Sequence, residues 1–98
     1  MMDNDFEWHE SKRELNLEKH GIDFEDALLM WRFAVATRRS AHPKEDRFIS
    51  FGGVNGQVIA VVWTLRDQRR RLISARRASR YERDCYAAFV GRGGNRPD

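Results

Sequence analysis

The sequence predicts an α+β domain: a short amino-terminal strand and a two-helix hairpin packed on an antiparallel meander sheet, followed by a carboxy-terminal helix. Three observations carry this. Asn55-Gly56 lies between two apolar stretches, and its preference for positive φ suits a type I′ hairpin turn. The second stretch, Gln57 to Leu65, is almost continuously apolar, as expected of a central strand buried on both faces. From Arg71 to Ala78 the pattern has a period of two, and at Ser79-Arg80-Tyr81-Glu82 it becomes helical through a Ser-x-x-Glu capping box.

Taken in order, Phe6-Glu7-Trp8 alternates and reads as a short edge strand with Phe6 and Trp8 inward. Ser11-Lys12-Arg13-Glu14 repeats the capping pattern and opens a helix that Gly21 closes, with Lys19 and His20 in the last turn, where cations suit the helix dipole. Asp23 caps a second helix whose apolar stripe is Phe24, Ala27, Leu28 and Trp31. The link Gly21-Ile22-Asp23 is short, so the two helices form a hairpin that packs on one sheet face. Phe33 to Arg39 alternates as a strand, and His42 to Asp46 is a loop.

Arg47 to Gly52 and Gln57 to Leu65 form the hairpin, Arg66 to Arg69 turns the chain, and Arg70 to Ala78 is the last strand. Leu72, Ser74, Arg76 and Ala78 share one face of it, and Arg71, Ile73, Ala75 and Arg77 the other. Tyr81, Cys85 and Phe89 recur every four residues and give the final helix an apolar stripe that folds back on the sheet. Residues 91–98 read as a frayed tail.

Ninety-eight residues bury one core, so the whole chain is expected to be a single domain. With 41% hydrophobic and 34% charged residues, a core is affordable and disorder is confined to the ends. No apolar run approaches the roughly 20 residues of a membrane span, and the acidic opening is unlike a signal peptide, which points to the cytoplasm. Cys85, the sole cysteine, excludes an internal disulfide and a zinc site of ordinary cysteine spacing, and is expected to be a buried structural thiol.

The net charge of +3 conceals a division. Residues 1–46 carry 7 basic against 11 acidic side chains, a balance of −4, and residues 47–98 carry 11 against 4, a balance of +7. A basic half of this kind suits a polyanion, because summed arginine charge attracts phosphate; a solvated, solubilising surface is the alternative.

The residues Phe6-Glu7-Trp8 with Lys12, Asn16 and Lys19-His20-Gly21 with Phe24 and Ala27, Arg47-Phe48-Ile49 with Gly52, and Ile73-Ser74-Ala75-Arg76 with Ala78, Glu82 and Tyr86, in this order, resemble the BrnT toxins over nearly the whole chain. The resemblance implies a ribonuclease toxin of a type II toxin–antitoxin system with a fold similar to RelE. It further implies a BrnA antitoxin that neutralises the toxin in a hetero-oligomer, and contact with operator DNA only through that complex. Two positions depart from the family pattern: His9 stands where Asp is usual, which passes the helix cap to Ser11, and Gln68 stands where Gly is usual.

Cleavage through the RNA 2′-hydroxyl needs a base for that proton, an acid for the departing 5′-oxygen and cations for charge developing on phosphate. No cofactor is implied, and the absence of a clustered Asp, Glu and His set favours a metal-free route. Arg76 is expected on the scissile phosphate, with Arg47 from a neighbouring strand as the second cation. Arg77 and Arg80 are expected to hold flanking phosphates, and Lys12 joins them as an RNA contact. For the proton steps the candidates are His20, Lys19, Glu82 and Tyr86.

Each has a plainer reading: Lys19 and His20 as helix-end cations, Glu82 as a capping carboxylate, Tyr86 as a half-buried ring. Trp8 and Trp63 read as core, although an exposed Trp8 would stack on a base. A non-catalytic basic module that binds nucleic acid or protein, and a degenerate toxin retaining only antitoxin binding, are the alternatives to an active nuclease.

Overall fold

A computed structural model describes residues 5–93. Nine elements follow: strand β1 (Phe6–Glu7), helix α1 (Glu10–His20), helix α2 (Phe24–Ala27) continuing into a 3₁₀ turn (Leu28–Arg32), strands β2 (Ala36–Ser40), β3 (Arg47–Val54), β4 (Gln57–Arg66) and β5 (Arg69–Arg77), and helix α3 (Arg80–Gly91). The class is the expected α+β. One five-stranded sheet has the order β1-β5-β4-β3-β2, antiparallel throughout its meander, with β1 added in parallel at the β5 edge. β4 is central, as its apolar run requires.

Both tight turns use left-handed backbone: Asn55 and Gly56 join β3 to β4 at φ of 51° and 79°, and Asp67 and Gln68 join β4 to β5 at 52° and 68°. At Gln68 a Cβ must tolerate a conformation that glycine adopts without strain.

The main core lies between the sheet and the segment 24–32: Phe24, Ala27, Met30, Ile59, Val61, Trp63, Leu72 and Ala75 are buried together. The expected stripe of Phe24, Ala27, Leu28 and Trp31 packs on this core, with Leu28 and Trp31 half-buried at its side, and Met30 is the deeply buried residue added to it. Past Ala27 the helix tightens to 3₁₀, whose three residues per turn bring Phe24, Ala27 and Met30 onto one line. Met30 packs where β3 presents Gly52, and a Cβ there would meet the Met30 Cβ at 2.9 Å.

β2 starts at Ala36 rather than at Phe33, and Phe33 is 70% exposed. The chain is still turning there, for the Phe33 N–H donates to the carbonyl of Met30 and ends the 3₁₀ segment.

In β5 the expected alternation breaks. Trp63 faces Leu72 but Val62 faces Ser74, which leaves Ile73 without a partner across β4. This bulge reverses the alternation, so Leu72 and Ala75 enter the same core although an odd number of positions separates them.

α1 does not bury an apolar stripe. Its buried residue is Asn16, while Leu15 is 65% exposed. The Asn16 amide donates to the Ala75 carbonyl at 2.9 Å and its oxygen accepts the Ala75 N–H at 3.0 Å. It thereby continues, with a side chain, the ladder that two-residue β1 leaves open, and fastens α1 to the edge of β5. The cap expected of Ser11 is not formed: His9 is the N-cap, with no side-chain bond to the helix, because the helix already starts at Glu10 and places Ser11 inside its first turn. Gly21 ends α1 at φ 73° and Asp23 caps α2, both as expected.

On the opposite sheet face α3 covers a smaller cluster of Ile49, Phe51 and Ala60, with Val62 and Tyr86 beside it. Its box at Ser79 and Glu82 has both bonds in place. Its sheet-facing line is Glu82, Tyr86 and Phe89 rather than Tyr81, Cys85 and Phe89, a rotation of about 100° over the first two turns. Cys85 is consequently exposed, not a buried structural thiol. Of the expected tail, Gly91 still belongs to α3, Arg92 and Gly93 form a turn, and residues 94–98 lie outside the described residues.

Candidate functional site

Three regions receive the candidate residues. The first is a groove of about 580 Å³ between α1 and β5, lined by Lys12, Lys19 and His20 together with Ile73 and Ser74. It exists because Asn16 holds the α1 backbone against Ala75, leaving the last turn of the helix above the open edge of β5. Lys12 and Lys19 project exposed ammonium groups and His20 is half-buried.

The second region is Arg76 and its surroundings. Arg76 faces α3, across from Ala60 on β4, and shares its side of β5 with Ser74, two residues and about 7 Å away. Its guanidinium donates to both oxygens of Glu82, at 2.8 and 3.0 Å, and Nη1 also reaches the Arg77 carbonyl at 3.2 Å. The Arg76 side chain keeps 34% of its surface and Glu82 keeps 15%, so the pair lies at the surface with the carboxylate beneath.

Glu82 accepts from Arg76 and from the Ser79 backbone amide, and these hold its carboxyl down at about 2 from an ordinary 4.5; Glu82 in turn raises Arg76. A carboxylate that binds protons so weakly is a poor base at neutral pH. Tyr86 is one turn on. Its hydroxyl donates to the Ala34 carbonyl at 2.8 Å and burial pushes its ionisation up, so it fastens α3 to the chain before β2. Between β2 and α3, a cleft of about 340 Å³ is lined by Arg38, Phe51, Tyr81, Glu82, Cys85 and Tyr86 among others.

Arg47 is apart from both. It begins β3 four positions before Phe51, which is level with Arg76 two strands away; strand geometry puts the two arginines about 13 Å apart along the sheet and about 10 Å across it. Its Nε donates to Glu45 at 2.7 Å and lowers that carboxyl. The structure therefore does not bring Arg47 to Arg76, because the turns set a register that alternation along one strand does not reveal.

Arg77 is on the other side of β5 and donates to Gln57, and Arg80 is exposed at the start of α3. Trp8 is half-buried and packs edge-on against Phe24 at 5.8 Å, a core role rather than a stacking platform. Trp63 is core as well, its indole N–H donating to Ser50 at 2.8 Å. Sequence reasoning missed Ser74 as a groove residue and Asn16 as the side chain that builds the groove. An asparagine on an otherwise exposed helix face, between two leucines that stay outside, was the available signal.

Fold and site together define a small α+β domain with a cation-lined groove at its sheet edge and an arginine on the adjoining strand, a class suited to polyanions. The chain belongs to the BrnT family: residues 8–82 match the family described as ribonuclease toxin, BrnT, of type II toxin–antitoxin system. Members of that family are ribonuclease toxins, which implies RNA targets and an antitoxin protein partner. No curated protein matches the chain significantly.

Proposed function

We propose that this protein is a metal-independent endoribonuclease toxin that inhibits translation by cleaving RNA through the 2′-hydroxyl, and that a BrnA-type antitoxin neutralises it. The carrying observation is the groove in which Lys12, Lys19 and His20 gather beside Ser74, two residues from Arg76 on one strand. There the His20 imidazole takes the 2′-proton, the 2′-oxygen attacks phosphorus, and the bond to the 5′-oxygen breaks as that oxygen receives a proton from the Lys19 ammonium. The products are a 2′,3′-cyclic phosphate and a 5′-hydroxyl.

Arg76, aimed by Glu82, faces the charge developing on the phosphate, and Lys12, Arg77 and Arg80 hold the strand to either side. Glu82 acts as a positioning residue and Tyr86 as a strut of α3. Arg47, tied to Glu45 away from the groove, has no part in the cleavage step. A lining with two ammonium groups and an imidazole against one carboxylate, Glu18, repels a divalent cation, which supports the metal-free route.

The whole chain is taken as one toxin domain of RelE-like fold, acting in the cytoplasm; no helix among the described residues is long and apolar enough to cross a membrane. Operator DNA is reached only through the toxin–antitoxin hetero-oligomer.

Purified protein incubated with end-labelled RNA, with and without a chelator, tests this. Expected are cyclic-phosphate ends unaffected by the chelator, and in His20→Ala a lost or displaced pH optimum. Cleavage abolished by the chelator overturns the metal-free route, and an unchanged pH profile returns His20 to its helix-end role. A second reading has a specific observation behind it: the two bonds from Arg76 to Glu82 leave that guanidinium compensated, as in a degenerate toxin that only binds its antitoxin. Such a chain does not poison cells when expressed alone and yields no RNA product.

A further inference from the structure

Among the described residues, Arg13, Arg39, Arg47, Arg71 and Arg76 each lie against a carboxylate. Arg77 and Arg83 are held differently. Arg77 Nε donates to the side-chain oxygen of Gln57 at 3.1 Å, and Arg83 Nη1 donates to the Ala78 carbonyl at 2.9 Å. A guanidinium paired with a carboxylate has part of its charge compensated and fewer donors free for a third group. One oriented by a neutral oxygen keeps its full charge and has donors to spare.

Both arginines line the same groove, about 350 Å³ in volume, whose remaining walls are Gly56, Gln57, Val58 and Ala78. The walls are well held, for the Ala78 N–H donates to the Val58 carbonyl at 3.0 Å and ties the end of β5 to the β3–β4 hairpin. The lining contains no aromatic ring on which a base could stack, so its recognition chemistry is directed at phosphate. The groove also begins at the residue after Arg76, adjacent to where the cleaved phosphate is placed above.

We propose that this groove is a subsite for the sugar–phosphate backbone of single-stranded RNA beside the cleaved bond, with Arg83 and Arg77 gripping one phosphate and Gln57 positioning Arg77. The identity of the strand rests on the nuclease assignment. Binding at the subsite is expected to be independent of base sequence, because the lining has no ring for a base to stack on and the Gln57 side-chain oxygen is engaged by Arg77.

The test uses the full chain and a fluorescent single-stranded 2′-O-methyl oligoribonucleotide, which cannot be cleaved because its 2′-oxygen carries no proton. Binding is followed by anisotropy over a salt series. For a single strand each lost phosphate contact lowers the slope of log affinity against log salt by about 0.7. Arg83→Ala is expected to lower the slope by about that amount, equally on uridine-rich and adenosine-rich strands.

Because Arg83 also bonds the chain before α3, Gln57→Glu is the second variant. It changes an exposed hairpin side chain and sets a carboxylate against Arg77 in place of the phosphate, and the same loss of slope is expected at an unchanged melting temperature. Wild-type slope and affinity in folded Gln57→Glu overturn the proposal, as does failure of the wild type to bind the strand. Losses as expected in a protein that cleaves no RNA uphold the subsite and remove the nuclease assignment, so the two fail separately.

Discussion

Arg76 and Glu82 show how one carboxylate acts at two levels. The same Glu82 oxygens close the box on α3 and orient the Arg76 guanidinium, and together these bonds hold the carboxyl at about 2. The folded value lies below the ordinary 4.5, so the stabilisation is complete above pH 4.5 and is lost as pH falls toward 2. Acid unfolding followed by circular dichroism should accordingly show a decline in stability over that window that is absent in Glu82→Gln. From sequence, Arg76→Ala is expected to remove activity and leave melting untouched. The pair changes the second half of that expectation: Arg76→Ala should abolish RNA cleavage and also lower stability, on the order of 1 kcal/mol, because Glu82 loses its partner at a half-exposed site. Calorimetry and end-mapping of cleaved RNA check the two effects separately.

Among the elements, α1 and α3 are attached by a few polar bonds rather than by large apolar faces. Neither buries an apolar side chain completely: α1 depends on Asn16, and α3 on its capping box, Tyr86 and the contact with Phe51 and Ala60. Asn16→Ala would leave the N–H and C=O of Ala75 unpaired in a buried position, and a loss of about 1–3 kcal/mol in denaturant unfolding is expected. It should also weaken RNA cleavage, because Lys19 and His20 are carried on the helix it anchors. Ser79→Ala removes the acceptor for the Glu82 amide and should cost about 0.5–2 kcal/mol, seen as earlier fraying of α3 by hydrogen exchange. The box was legible in the sequence, since Ser-x-x-Glu is a local signal. The Asn16 bond was not, because its partner is 59 residues away.

On the scale of the whole molecule, the basic half of the chain is not one uniform surface. Carboxylates compensate Arg47, Arg71 and Arg76 in place, whereas the groove of Lys12, Lys19 and His20 draws its cations from the acidic half. Charge counted along the chain located the polyanion signal in the wrong segment for that groove, since folding sets α1 beside β5. If the molecule acts as a toxin, expression of the chain alone should arrest growth, Lys19→Ala combined with His20→Ala should relieve the arrest, and Tyr81→Ala, on the exposed side of α3, should not; colony counts check this.

Elements that depend on neighbours in the chain were legible from the residues alone: both tight turns, the Gly21 and Asp23 helix ends, the Ser79 box and the central place of β4. Each follows from backbone preferences or from hydrophobic period within a few residues. The bulge at Ile73, the burial of Met30, the Arg76–Glu82 pair and the distance of Arg47 from it emerge when the folded chain packs. Those depend on register between strands and on the space a packed core leaves, and both are set by residues far apart in sequence.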